Sequence, residues 1–384
     1  MQVRRYAQTF SLLLLLMHPM LAAAANPDPN ADLRPTMHAI FQALTTVFPL
    51  SLQRRQFQDT AQRPRIRDAL RQLADHAEQL ANHGQQIPPH FDFLRQSLQQ
   101  NARYALRRFE DGETEEARFI VQQLTDHCFL CHSRVPSAQA FPLGQRFLAS
   151  MSSEDLTLPE RVRLAVAARQ FDAALSICET LFRSLDIPAA QIDLMALFED
   201  YLRLAIRVRD DRTRVIQTFA AFQQRPDVPA YLAEHLTSWI TTLHTWQPDP
   251  AADDLLAQAG ALIRRGQQQN RFLADRQGLV HFILASRLLH RYVSDNARPA
   301  LQLAEAYYLL GVAESYIPRS SWISETEFFL EMAVRLAPTS PHAKKAYAFL
   351  EEYVITGYTG TMGLHLPSDV QDHLDELRRL LHGS

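Results

Sequence analysis

The residues best able to do chemistry stand together as Cys128-Phe129-Leu130-Cys131-His132. Two thiols separated by two residues, with an imidazole directly after the second, form the c-type haem attachment pattern. Each thiol can add to a vinyl group of the porphyrin, and the adjoining imidazole reaches the iron from the proximal side. The chain has only 3 cysteines, so the pattern is no by-product of cysteine richness. A disulfide, or half of a zinc site, is the other chemistry open to such a pair. Zinc would want a second cysteine pair, which does not follow, and a redox CxxC needs no trailing histidine. The expectation is one covalent haem c with its iron on His132. The third cysteine, Cys178, lies in an apolar helical run and is expected to be a buried core thiol.

The ligand on the other face of the iron would decide between electron transfer and ligand binding. Met37 lies on an apolar stripe and is the first choice; ordinary core packing is its competing role. His38, His76 and Met151 are further candidates. His127 precedes the motif and is expected to point away from the ring. Arg134, two residues past the motif, could pair with a haem propionate, and a solvent-facing role is equally open.

Residues 1–25 read as an export signal. Arg4 and Arg5 lead an apolar run from Ser11 to Leu21, and Ala22 to Ala25 form a small-residue exit. The expected location is therefore the periplasm, where haem c is made. An uncleaved N-terminal anchor is the alternative, although the run is short for a membrane span. Removing these residues deletes two arginines and no acid, so the formal charge of −3 becomes −3 − 2, about −5. That balance makes no case for nucleic acid. The chain is not expected to be an integral membrane protein after signal cleavage.

The elements that must position the motif are helices. Glycine is scarce and the chain exceeds what a minimal cytochrome needs, so an all-α protein with more than one domain is expected. Helices are expected over 33–57, 63–83, from after Pro89 to about 109, and 114–134, the last carrying both cysteines. Asp111-Gly112 stops the third, and Glu113, Glu115 and Glu116 favour the start of the fourth. Their lengths fit an antiparallel four-helix bundle over 31–136, with a two-helix-pair solenoid fragment as the other arrangement. Segment 137–153 is expected to be a connecting strap that covers the site with Phe141 to Phe147.

The motif follows roughly 100 residues of mature chain and ends the last helix of this set. In that layout the N-terminal region resembles the cytochrome c prime family. The resemblance implies a four-helix bundle, with His132 as proximal ligand and a first-helix residue over the distal face. The lysine usual inside that family's haem motif is replaced here by Phe129-Leu130.

From 154 to 384 the expectation is helix after helix. Eleven are expected, at 158–168, 170–184, 189–208, 211–225, 229–244, 251–265, 275–292, 299–315, 324–337, 340–354 and 367–382. Ala304, Tyr307, Leu310, Gly311, Ala313 and Tyr316, followed by Phe328, Ala333, Leu336 and Pro338, resemble a tetratricopeptide helix pair. A repeat-like region could present a concave partner surface, or simply pack against the haem region. The segment around Gly357, Gly360 and Gly363 is expected to be a structured loop.

These observations point to an exported monohaem c-type protein for electron transfer or sensing of a diatomic gas, docked to redox or envelope protein partners. A haem enzyme such as a peroxidase is one alternative; it would need acid–base groups over an open distal face. A haem-stabilised structural or assembly adaptor is another. No Ser-His-Asp order or metalloprotease helix is legible.

Overall fold

Apolar residues at three- and four-residue spacing become helices along the whole chain, and the protein is all-α. The structure, a computed structural model, describes residues 33–82, 89–133, 141–151, 156–191, 194–247, 254–272, 275–295, 297–317, 325–361 and 363–383. The export signal at 1–25, His83, Arg134, Trp322 and Met362 lie outside the described residues.

The N-terminal helices are α1 (Leu33–Leu52), α2 (Arg54–Gln58), α3 (Arg63–Ala81), α4 (Pro89–Glu110) and α5 (Thr114–His132). The single helix expected over 33–57 is instead broken at Gln53. The Ser51 carbonyl, in the last turn of α1, accepts from Arg118 Nη1 at 3.1 Å and Gln122 Nε2 at 2.7 Å, which ties the end of α1 to α5 in place of a continuing helix. Helix α3 packs between α1 and α4, α4 packs on α5, and α5 returns to α1. Their buried faces form two apolar clusters, one around Val47, Leu70, Phe109 and Ile120, the other around Ile40, Leu73, Ala77 and Leu124. The turn into α5 uses Gly112 at φ 90°, where glycine carries no steric penalty. Glu116 then accepts from Tyr104 Oη and Arg108 Nε, both at 2.5 Å, and fixes α5 against α4.

The connecting segment holds a helix that sequence did not announce, α6 (Pro142–Ser150). Gly144 lets α6 press on the chain beyond it: a Cβ there would stand 2.2 Å from the Ala168 carbonyl oxygen. Phe147 of α6 joins Phe41, Leu44 and Phe48 of α1 in a third cluster with Leu164 and Ala168.

Eleven further helices follow: α7 (Leu158–Ala167), α8 (Phe171–Arg183), α9 (Leu194–Arg203), α10 (Arg212–Gln223), α11 (Ala230–Thr245), α12 (Leu255–Gln269), α13 (Leu279–Val293), α14 (Ala300–Ser315), α15 (Glu325–Leu336), α16 (Pro341–Tyr358) and α17 (Ser368–His382). Helix α9 continues as a π-helical segment over Leu204–Arg209. Starts are set by local chemistry: Glu160 accepts from the Thr157 amide at 2.7 Å, and Ser340 accepts from the Ala343 amide at 3.0 Å. Successive helices pack in pairs around one large core running from Val162 to Leu377. At Gly311 a Cβ would meet Leu330 at 2.6 Å, so α14 and α15 cross at a glycine. Residues 353–358 extend α16 rather than entering a loop, and Thr359–Gly360 pairs antiparallel with Gly363–Leu364. Among the described residues no helix is long and apolar enough to cross a membrane.

The C-terminal region packs onto the N-terminal one. Phe129 of α5 is buried in the large core, and Phe93 of α4 stacks on Phe328 of α15 with ring centroids 4.6 Å apart.

Candidate haem site

Helix geometry turns the motif into a single stripe. On α5, Cys128, Cys131 and His132 stand at i, i+3 and i+4, so they share one face at the C-terminal end. Phe129 leaves that face and is 2% exposed among Val162, Val166 and Phe171. Its burial fixes the rotation of α5 and therefore the direction of the stripe. Ser133 closes the helix, its amide donating to the Phe129 carbonyl at 2.9 Å.

The His132 ring is half-buried, and its Nδ1 stands 3.5 Å from the Val166 carbonyl oxygen on α7. A ring whose Nδ1 faces a carbonyl presents Nε2 as its available ligand atom. Burial, with the Arg169 charge adding to it, pushes His132 down to about 4, so the ring is neutral at ordinary pH. Neutral imidazole is the form that binds a metal.

Cys128 is half-buried, its Sγ 3.6 Å from the Leu124 carbonyl oxygen. Burial first, then the nearby Asp126, pushes its thiol up to about 12. A thiol held neutral is a poor nucleophile. None of Cys128, Cys131 and Cys178 is in a disulfide, and Cys178 is 1% exposed in the core.

The other face of α5 is occupied by polar groups. His127 is 1% exposed and turned to α4, where its Nε2 meets Ser97 Oγ at 3.1 Å and Asn101 Nδ2 at 3.3 Å. Burial pushes it down to about 4, so it serves as a neutral contact between helices. Asp126 is 2% exposed, with Arg163 Nε 3.5 Å from one oxygen and neither oxygen hydrogen-bonded. Burial pushes it up to about 7 against the opposing pull of Arg163.

The distal candidates are spread apart. Met37 is half-buried on α1 against the Ile40, Ala77 and Leu124 cluster, and Leu124 stands one turn ahead of Cys128. His38 sits 5.5 Å from the Phe141 ring, centroid to centroid. Met151 packs against the Phe41–Phe147 cluster, and His76 meets Gln79 Oε1 at 3.0 Å. Sequence reasoning missed Val166, Arg169 and Asp126. A backbone carbonyl has no side-chain signature, and the two charged residues join no motif. Among the described residues no three His, Cys, Asp or Glu side chains converge on a bare metal ion. Haem iron asks for less, because the porphyrin brings four of its ligands. No protein-family model, curated protein or solved structure matches this chain.

Proposed function

We propose that the chain is an exported monohaem c-type cytochrome that transfers electrons or binds a diatomic gas in the periplasm. Its haem would be held through Cys128 and Cys131, with His132 on the iron. The observation that carries this reading is the shared face of Cys128, Cys131 and His132 at the end of α5, with a neutral imidazole oriented by the Val166 carbonyl. These residues fit haem c in kind and spacing, and His132 also in protonation.

Bound haem supplies one-electron or diatomic-ligand chemistry. The chain's own residues do the rest. Val166 fixes the tautomer of His132, and Phe129 holds the helix that carries it. Leu164 and Ala168, on either side of Val166 in the chain, pack with Phe41 and Phe147 and tie the end of α7 to α1 and α6. The finer architecture of the proposal is a four-helix haem bundle from α1, α3, α4 and α5, followed by a tetratricopeptide-like region that docks redox or envelope partners. Support for it comes from the closed packing of these four helices and from the glycine crossing at Gly311.

Absorption spectra of the purified mature protein, in both redox states and with carbon monoxide, test the proposal. Haem c bands are expected in both states. A carbon monoxide shift would assign gas binding, and its absence electron transfer. A colourless protein made alongside the haem-maturation apparatus would contradict both.

A further inference from the structure

Helices α5 and α7 meet through more than apolar packing. His132 Nδ1 faces the Val166 carbonyl, and Arg163 Nε stands 3.5 Å from an Asp126 oxygen. Arg163 and Val166 are three residues apart, so they lie on adjacent turns of one face of α7. The proposed iron ligand and a buried carboxyl thus meet the same short stretch of one helix. Phe129, Val162 and Val166 are all buried in this interface, which keeps water from screening one charge from another.

Asp126 is costly to keep there. It is buried, and neither of its oxygens accepts a hydrogen bond. Such a carboxyl is stable only as the neutral acid, or as the anion where a nearby cation holds it. Arg163 is that cation. Asp200 and Arg203 of α9, paired with each other at 3.2 Å, act on Asp126 in opposite directions. On α5 itself, Cys128 keeps its proton, and His127 is neutral and turned to Ser97 and Asn101 of α4. The balance leaves Asp126 at about 7, poised between its two forms. Arg163 is only half-buried, so solvent lies one side chain away. An electron added beside a carboxylate in a dry interface raises its affinity for a proton.

We propose that Asp126 takes up one proton when a haem on His132 is reduced, coupling electron transfer at this site to proton transfer. The inference rests on the haem reading above. A one-electron donor protein supplies the electron that takes ferric iron to ferrous. Water supplies the proton, which converts the Asp126 carboxylate to the neutral acid and cancels the added charge.

The test is the reduction potential of the full-length wild type, Asp126→Asn and Arg163→Gln, titrated from about pH 5 to about pH 9. Intact mass and thermal midpoint accompany each protein. Near pH 5 residue 126 is neutral in both wild type and Asp126→Asn, and the two should share one potential. Above about pH 7 the wild type should fall below the variant, because a carboxylate favours the ferric form. In Arg163→Gln that fall should move to higher pH, because the anion has lost its counter-charge. Wild-type and Asp126→Asn curves that run parallel across the range would overturn the coupling and leave the haem reading intact. A wild-type protein with no haem in its mass would overturn the haem reading, and the coupling with it.

Discussion

At the scale of single residues, burial disfavours the charged forms of three ionisable groups near the C-terminal end of α5. His127 and His132 are pushed down to about 4, and Asp126 up to about 7, chiefly by burial. Their effects on stability have opposite signs. A histidine lowered in the fold costs stability as pH falls below its ordinary range toward 4, because the unfolded chain then binds more protons. A carboxyl raised in the fold costs stability as pH rises from about 4 to about 7, because the folded state keeps a proton that the unfolded chain releases. Asp126→Asn isolates the second effect. It should match the wild type near pH 4 and exceed it by about 1–3 kcal/mol above pH 7 in chemical denaturation. A constant difference across that range would show that Asp126 is not protonated in the fold. Met37 gives a second residue-level expectation. It packs on the cluster that holds Leu124, one turn ahead of Cys128 on α5, so under the haem proposal Met37→Ala should open the iron to carbon monoxide. Wild-type protein that already binds carbon monoxide would reduce Met37 to packing.

At the scale of elements, α5 is the hinge of the account. Its inner face belongs to the N-terminal clusters through Ile120 and Leu124, while Phe129 enters the C-terminal core. Phe129→Ala should therefore cost about 3–5 kcal/mol, as a buried phenylalanine does. It should also broaden the haem spectrum, because the stripe loses its rotational lock. A loss below about 1 kcal/mol in denaturant titration would show that the core closes without Phe129. The helices themselves were legible in advance because one apolar face repeats along each. The stop at Asp111-Gly112 was equally local. The break at Gln53 and the short α6 were not, since a nine-residue helix with an internal glycine has little periodicity to read. The hairpin at Thr359–Leu364 likewise has only two residues in each strand. At the site, Cys128, Cys131 and His132 announced themselves by spacing. Val166 and Arg169 did not, because their role comes from α7 folding back on α5, more than 30 residues later in the chain.

At the scale of the whole molecule, the two regions are not simply tethered. Phe129, the Asp126–Arg163 pair and the Phe93–Phe328 stack are among the contacts that join them. A fragment beginning at Ser153 uncovers Val162, Val166 and Phe171, which Phe129 otherwise covers. It should be helical and colourless, yet unfold at lower denaturant than the same region of the full chain. Equal midpoints would mean that the regions are energetically independent. The proposed function depends on a covalent haem on α5. The most direct measurement is the intact mass of the exported mature chain, produced with the haem-maturation apparatus, beside Cys128→Ser and Cys131→Ser. The wild type should exceed its cleaved polypeptide by the mass of one haem, with peptide mapping placing it on both cysteines. The bare polypeptide mass under those conditions would contradict the account.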